Sequence, residues 1–206
     1  MQPTMSLNAE EKRRLRAERE AAMRLKNNKL GITVFQISWI MVFVALIIVY
    51  WQLGFNEGWR PTPEQKPGFL APALATLALL VSTYFARSAL SAIKANDVST
   101  FQQRWLASIG LGFVFLAIMM QQFFAFVTVK IEGLTSASNY VSIYRLMIGY
   151  HALHALMIGL MMVQVYRFSR VGRYHEKNTW TVEATVRLWY FVMVAWLMFY
   201  VVLYLI

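Results

Sequence analysis

Five long apolar stretches, separated by short charged or proline-rich connections, limit this chain to a small set of folds. They cover about residues 31–53, 69–92, 105–129, 141–166 and 182–206. Crossing about 30 Å of hydrocarbon takes roughly 20 apolar helical residues. In lipid every backbone N–H and C=O must be satisfied inside its own segment, so stretches of this length are helices. The expected fold is an all-α integral membrane protein, a bundle of five transmembrane helices. The 58% hydrophobic content of the 206 residues, with seven tryptophans and twelve methionines, agrees with that class. No internal repeat or second domain is visible. With no cysteine, the chain has no disulfide, thiolate nucleophile or cysteine-held metal cluster.

The net charge of +10 is unevenly placed. Lys12, Arg13, Arg14, Arg16, Arg19, Arg24, Lys26 and Lys29 precede the first span, and Arg167, Arg170, Arg173 and Lys177 follow the fourth. Positive charge that flanks apolar spans sets orientation and does not indicate nucleic acid. Arg87, Lys94 and Arg104 flank the second connection. The first connection balances Arg60 and Lys66 against Glu57 and Glu64, and the third places Glu132 between Lys130 and Arg145. The alternation predicts a cytoplasmic N-terminus and an outside C-terminus in a prokaryotic cytoplasmic (inner) membrane. Trp51, Trp59, Trp105 and Trp180 lie at or near span ends, where indole rings favour the headgroup region.

Residues 1–30 read as a separate cytoplasmic tail with no secretory signal. Residues 9–26 are rich in good helix formers, and Glu10/Arg14 and Glu20/Arg24 are favourable four-residue pairs. Leu15, Met23 and Leu25 offer too little apolar surface to insert, so a solvated helix is expected, able to lie on anionic lipid or on a partner subunit. Arg60, Pro61, Thr62 and Pro63, followed by Pro67 and Gly68, make the first connection a turn or extended segment.

The candidate site is the pair His151 and His154, inside an otherwise apolar stretch between Gly149 and Gly159. Ionisable groups at membrane depth are costly and usually face a partner or a site. Three-residue spacing puts both rings on one helical face. Three readings stay open on these residues alone. Each imidazole hydrogen-bonds to a neighbouring helix or the headgroup region, which is the favoured reading. Alternatively they hold a metal or haem, or relay a proton. Two histidines one turn apart cannot bracket a haem iron, and His175 lies roughly 15–20 Å away in the charged loop. Glu183 heads the fifth span, where a helix start favours a carboxylate. Arg187 follows one turn later, placed to pair with Glu183 or to hold a lipid phosphate. Gly159 is expected to permit close helix approach. Gln36, Ser38, Ser82, Thr83, Gln121 and Gln122 are expected to hydrogen-bond between helices. The aromatic run from Phe123 to Phe126 and the ladder Trp189, Tyr190, Phe191, Trp196, Phe199, Tyr200 and Tyr204 read as packing faces.

These residues together resemble subunit III of the haem–copper oxidases, in a five-helix form. Gly149, His151, His154 and Gly159 match that family's glycine, His-x-x-His and following glycine in spacing. A basic loop and a helix-heading glutamate follow, as Glu183 does here. Trp189, Phe191, Val192, Trp196 and Tyr204 resemble the family's last helix. Leu30, Gly31, Phe35 and Ser38 resemble its first core helix, Ser82 and Thr83 its second, and Gly112, Phe115 and Leu116 its third. Four intramembrane positions depart. Trp39 stands where a glutamate usually follows the serine, Gln122 stands for another glutamate, and Tyr190 and Met193 replace a histidine and an aspartate. The resemblance implies a non-catalytic accessory subunit of a cytochrome c or quinol oxidase. It implies no cofactor or metal in this chain, bound phospholipid, and haems and copper in the partner catalytic subunit I. His151, His154, Glu183 and Arg187 would make structural or lipid contacts, and Gly149, Gly159, Trp189 and Trp196 would pack helices. With the acids lost, scaffolding is the implied role and proton chemistry is not. An accessory subunit of a nitric oxide reductase or other respiratory complex, a stand-alone membrane metal enzyme and a small transporter are the alternatives. Against a transporter, no span is broken by mid-span glycine or proline.

Overall fold

The structure, a computed structural model, describes residues 8–55, 68–125, 135–176 and 178–205. It contains five long α-helices: α1 Ala9–Leu53, α2 Leu70–Lys94, α3 Val98–Ala125, α4 Thr135–Arg170 and α5 Trp180–Tyr200. A π-helical turn, Val201–Leu205, continues α5. All five are long and apolar enough to cross a membrane. Glu57, Trp59, Arg60, Pro61, Thr62, Pro63, Glu64, Lys66 and Pro67 lie outside the described residues, as do Phe126, Lys130, Glu132 and Lys177, so the readings made on them stand untested.

The helices overrun their apolar cores. α4 is 36 residues long, and α1 is 45, with no break between the polar tail and the first span. Hydropathy marks where a helix is greasy, whereas caps mark where it ends. Asn8 starts α1 with a capping box: its Oδ1 accepts the Glu11 N–H at 2.8 Å and its own N–H donates to Glu11 Oε2 at 2.9 Å.

Two compact units divide the chain, residues 1–41 and 42–206. Within the first, the described residues are helix alone and carry no buried side chain. Within the second, α2 and α4 each pack on both α3 and α5, and Phe43 in the C-terminal part of α1 is buried against rings of α4 and α5.

The turn between α2 and α3 is very tight. Asn96 adopts φ 59°, the left-handed region that asparagine tolerates. The Asp97 N–H then reaches Ala92 O at 3.0 Å and the Asn96 N–H reaches Ile93 O at 3.0 Å, a Schellman closure. Asp97 at once caps α3, its Oδ1 accepting the Thr100 N–H at 3.0 Å. α4 ends the same way at Gly172, φ 72°. There Arg173, in place of the usual apolar residue, lays its guanidinium 4.6 Å from the Phe168 ring centroid.

Candidate functional site

The two histidines lie on α4 at the centre of an aromatic cluster. Phe43 of α1 sits 5.9 Å from the His151 ring and 5.7 Å from that of His154. Phe115 of α3 and Trp196 and Phe199 of α5 complete the surround of His151, at 5.7, 5.5 and 6.1 Å between centroids.

The two histidines differ in how their ring nitrogens are used. His154 Nδ1 donates to Tyr150 O at 2.6 Å, a bond within its own helix and not across to another. His151 is wholly buried, and neither ring nitrogen has a hydrogen-bond partner among the described residues. Its neighbours are ring faces and edges, which pack against an imidazole without accepting a proton at hydrogen-bond quality. Among the described residues no group of three or more His, Cys, Asp or Glu is arranged to hold a metal ion.

Polar interhelical bonds lie elsewhere, along the seam of α2 with α3 and α5. Ser82 Oγ donates to Ser108 O at 2.8 Å, Ser108 Oγ donates to Ser82 O at 2.8 Å, and Trp189 Nε1 donates to Ser82 Oγ at 3.0 Å. One serine hydroxyl thus joins three helices. Trp196 Nε1 donates to Thr76 Oγ1 at 2.8 Å, and Trp105 Nε1 to Met162 O at 2.9 Å. Trp105, read from sequence as an interfacial ring, is fully buried against α4. Every one of these indoles is fixed by an acceptor because a buried Trp N–H needs one. That rule was the available signal for Thr76 and Ser108, which the sequence reading did not single out.

Of the other groups expected to join helices, Gln122 does so by accepting from Tyr144 at 3.3 Å. Tyr144 also bonds Tyr204 of the π-helical turn. Ser38 and Thr83 bond carbonyls of their own helices, and Gln121 is exposed.

Glu183 sits at the head of α5. It accepts from Thr179 Oγ1 at 3.0 Å and pairs with Lys94 Nζ of α2 at 2.9 Å. The cation nearest in sequence, Arg187, suggested a local pair, whereas Lys94 is brought in by the antiparallel run of α2 against α5. With both groups part-exposed, such a pair contributes at most about 1 kcal/mol. In the adjacent loop, burial pushes the Tyr174 phenol above its ordinary value, and Arg173 and a Thr181 hydrogen bond pull partly against this.

The glycines separate by geometry. A Cβ on Gly112 would lie 2.9 Å from Trp189 Cζ2, and one on Gly149 2.9 Å from Phe123 Cε2. Gly159 differs, since its nearest atom would be Leu116 Cδ1 at 4.0 Å. The expected close approach at Gly159 is therefore corrected: it borders an apolar cavity of about 10 Å³ lined also by Gly112, Leu116 and Trp189.

Comparison with known proteins places this geometry in a family. The profile of the family described as Cytochrome c oxidase subunit III matches residues 15–206. Cytochrome c oxidase subunit 3 of Thermostichus vulcanus is 30% identical over 179 residues, covering 85% of this chain and 85% of that protein. The protein of the same name from Synechocystis sp. is 25% identical over 177 residues, covering 85% of this chain and 74% of its own length. A probable cytochrome c oxidase subunit 3 from Nocardia farcinica is 22% identical over 178 residues, with 85% and 86% covered.

Proposed function

The chain belongs to the cytochrome c oxidase subunit III family, and from that premise we infer that it works by packing and not by chemistry. It is a non-catalytic accessory subunit of a haem–copper terminal oxidase. It stabilises the catalytic subunit, which holds the haems and copper, and so supports O2 reduction coupled to proton translocation. The observation that carries this reading is how the interior polar groups are used. Ser82, Ser108, Thr76 and the indoles of Trp105, Trp189 and Trp196 are all engaged in joining helices. None of these six is left to form a relay, and the buried His151 has no hydrogen-bond partner among the described residues to pass a proton to.

In this reading His151 and His154 are structural, and Gly149, Trp189 and Trp196 fix helix packing. Glu183 ties the start of α5 to the end of α2. Arg187, also near the start of α5, holds a lipid phosphate at the surface. The polar stretch before the first span lies in the cytoplasm and the C-terminus outside, in a prokaryotic inner membrane; the basic clusters around Lys12 to Lys29 and Arg167 to Arg173 support this orientation.

The test is mild detergent purification through a tag on this chain, followed by reduced-minus-oxidised and carbon monoxide difference spectra. A co-purifying complex with a high-spin, carbon monoxide-reactive haem and copper supports the reading. A chain that purifies alone and colourless, from membranes with oxidase activity, overturns it.

A further inference from the structure

Unit 1 of the chain carries a continuous stripe of its own. At roughly 100° per helical residue, Lys12, Arg16, Arg19, Met23, Lys26, Leu30, Val34, Ile37 and Met41 all fall within an arc of about 80° on α1. No acidic residue falls in that arc. Glu10, Glu11, Glu18 and Glu20 all lie on other faces. The apolar members are exposed, Val34 at 55% and Met41 at 65%, with Met23, Leu30 and Ile37 between these values. The cations are exposed as well. The steps alternate between three and four residues and average about 3.6, the period of a straight helix. One unbroken stripe thus passes from basic to apolar with no change of face.

Lipid can cover the apolar half, but an anionic membrane surface does not suit the basic half. Lys12 is 18 residues from Leu30, about 27 Å along an unbroken helix. That exceeds the roughly 8–10 Å over which surface charge acts at ordinary ionic strength. The capping box at Asn8 and the Glu10–Arg14 pair at 3.4 Å offset only part of the cost of ordering this stretch.

We propose that this stripe is a docking face for one neighbouring membrane protein, whose own span continues out of the membrane into an acidic helical segment lying along Lys12, Arg16, Arg19 and Lys26. Apolar contact at Leu30, Val34, Ile37 and Met41 would set the register, and charge would select the partner. Nothing in this requires the neighbour to carry haem, so the proposal stands or falls separately from the oxidase reading.

The chain has no cysteine, which permits a direct test. Single variants Arg16→Cys, Met23→Cys and Ile37→Cys sample the stripe, while Ala21→Cys and Asn28→Cys sample the opposite face. Each is labelled with a benzophenone maleimide in native membranes, irradiated and mapped by mass spectrometry. The expected result is one common polypeptide adduct from all three stripe positions, its acidic segment captured by residues 16 and 23, with roughly tenfold less from the controls. Changing Lys12, Arg16, Arg19 and Lys26 to Glu should abolish capture from residue 23. The same change at Arg13, Arg14, Arg24 and Lys29 should spare it. Adducts to phospholipid alone from residues 16 and 23, or equal capture from both faces, would overturn the proposal.

Discussion

Replacing His151 with leucine should leave the protein about as stable as before or more so, although His151 is the most buried ionisable group of the candidate site. The ring is fully excluded from solvent and neither nitrogen meets a donor or acceptor among the described residues. A neutral imidazole carries one N–H, and burying it without an acceptor costs about 1–3 kcal/mol. Leucine, similar in volume, removes that cost. It forfeits the ring contacts to Phe115 and Trp196, worth about 0.5–1.5 kcal/mol beyond area. The balance runs from about 0.5 kcal/mol of loss to about 2.5 kcal/mol of stabilisation, a rise of up to about 10 °C in Tm at roughly 2–4 °C per kcal/mol for a chain of this size. His154→Leu should go the other way, by about 0.5–1.5 kcal/mol, because it removes the bond to Tyr150 O. The seven tryptophans give the assay, intrinsic-fluorescence melting of the detergent-purified protein. His151→Phe, which keeps a ring, guards against a simple packing fault. A fall above about 2 kcal/mol in both His151 variants would refute the reasoning, because it would mean that the nitrogens are paired.

The three glycines should respond with different signs. Gly112→Ala and Gly149→Ala each force a methyl to within 2.9 Å of an aromatic ring and should lower stability by about 1–3 kcal/mol. Gly159→Ala brings a methyl only into ordinary van der Waals contact with Leu116 beside the cavity and should be neutral or stabilising, read by the same melts. Asp97 lies outside the spans, and its carboxylate is held below the usual range, first by a side-chain hydrogen bond with Thr100 and next by the Thr100 backbone N–H. A depressed folded value means the cap's stabilisation is present above the ordinary carboxylate range and fades as pH falls through the folded value. Melting curves from neutral to acid pH should therefore flatten in Asp97→Asn, which keeps the cap and cannot titrate.

The spans were legible because hydropathy over some twenty residues leaves no other fold in lipid. Their ends were less so. Nothing in composition separates the polar stretch before Leu30 from the span it continues, and α4 begins and ends in polar residues. The pair at His151 and His154 was visible as an anomaly in an apolar run. Which of the two would find a partner was not, since that depends on rings arriving from α1, α3 and α5. Lys94 as the partner of Glu183 follows from antiparallel register, which no local spacing encodes. Gly159 misled because a glycine in a span signals close approach only if something stands opposite. At Gly112 the indole of Trp189, anchored by Ser82, does.

The shared hydroxyl of Ser82 also has a consequence in time. Chains are synthesised from the N-terminus, so α5 leaves the ribosome after α2 and α3. By then the α2–α3 hairpin is complete, its turn three residues long and its two serines already exchanging hydrogen bonds. Trp189 then donates to an oxygen that still has a lone pair to offer, so α5 docks without undoing an earlier bond. Helix α5 closes like a latch on a door already hung, and a chain cut short before Trp180 would keep its hinge and lose its catch.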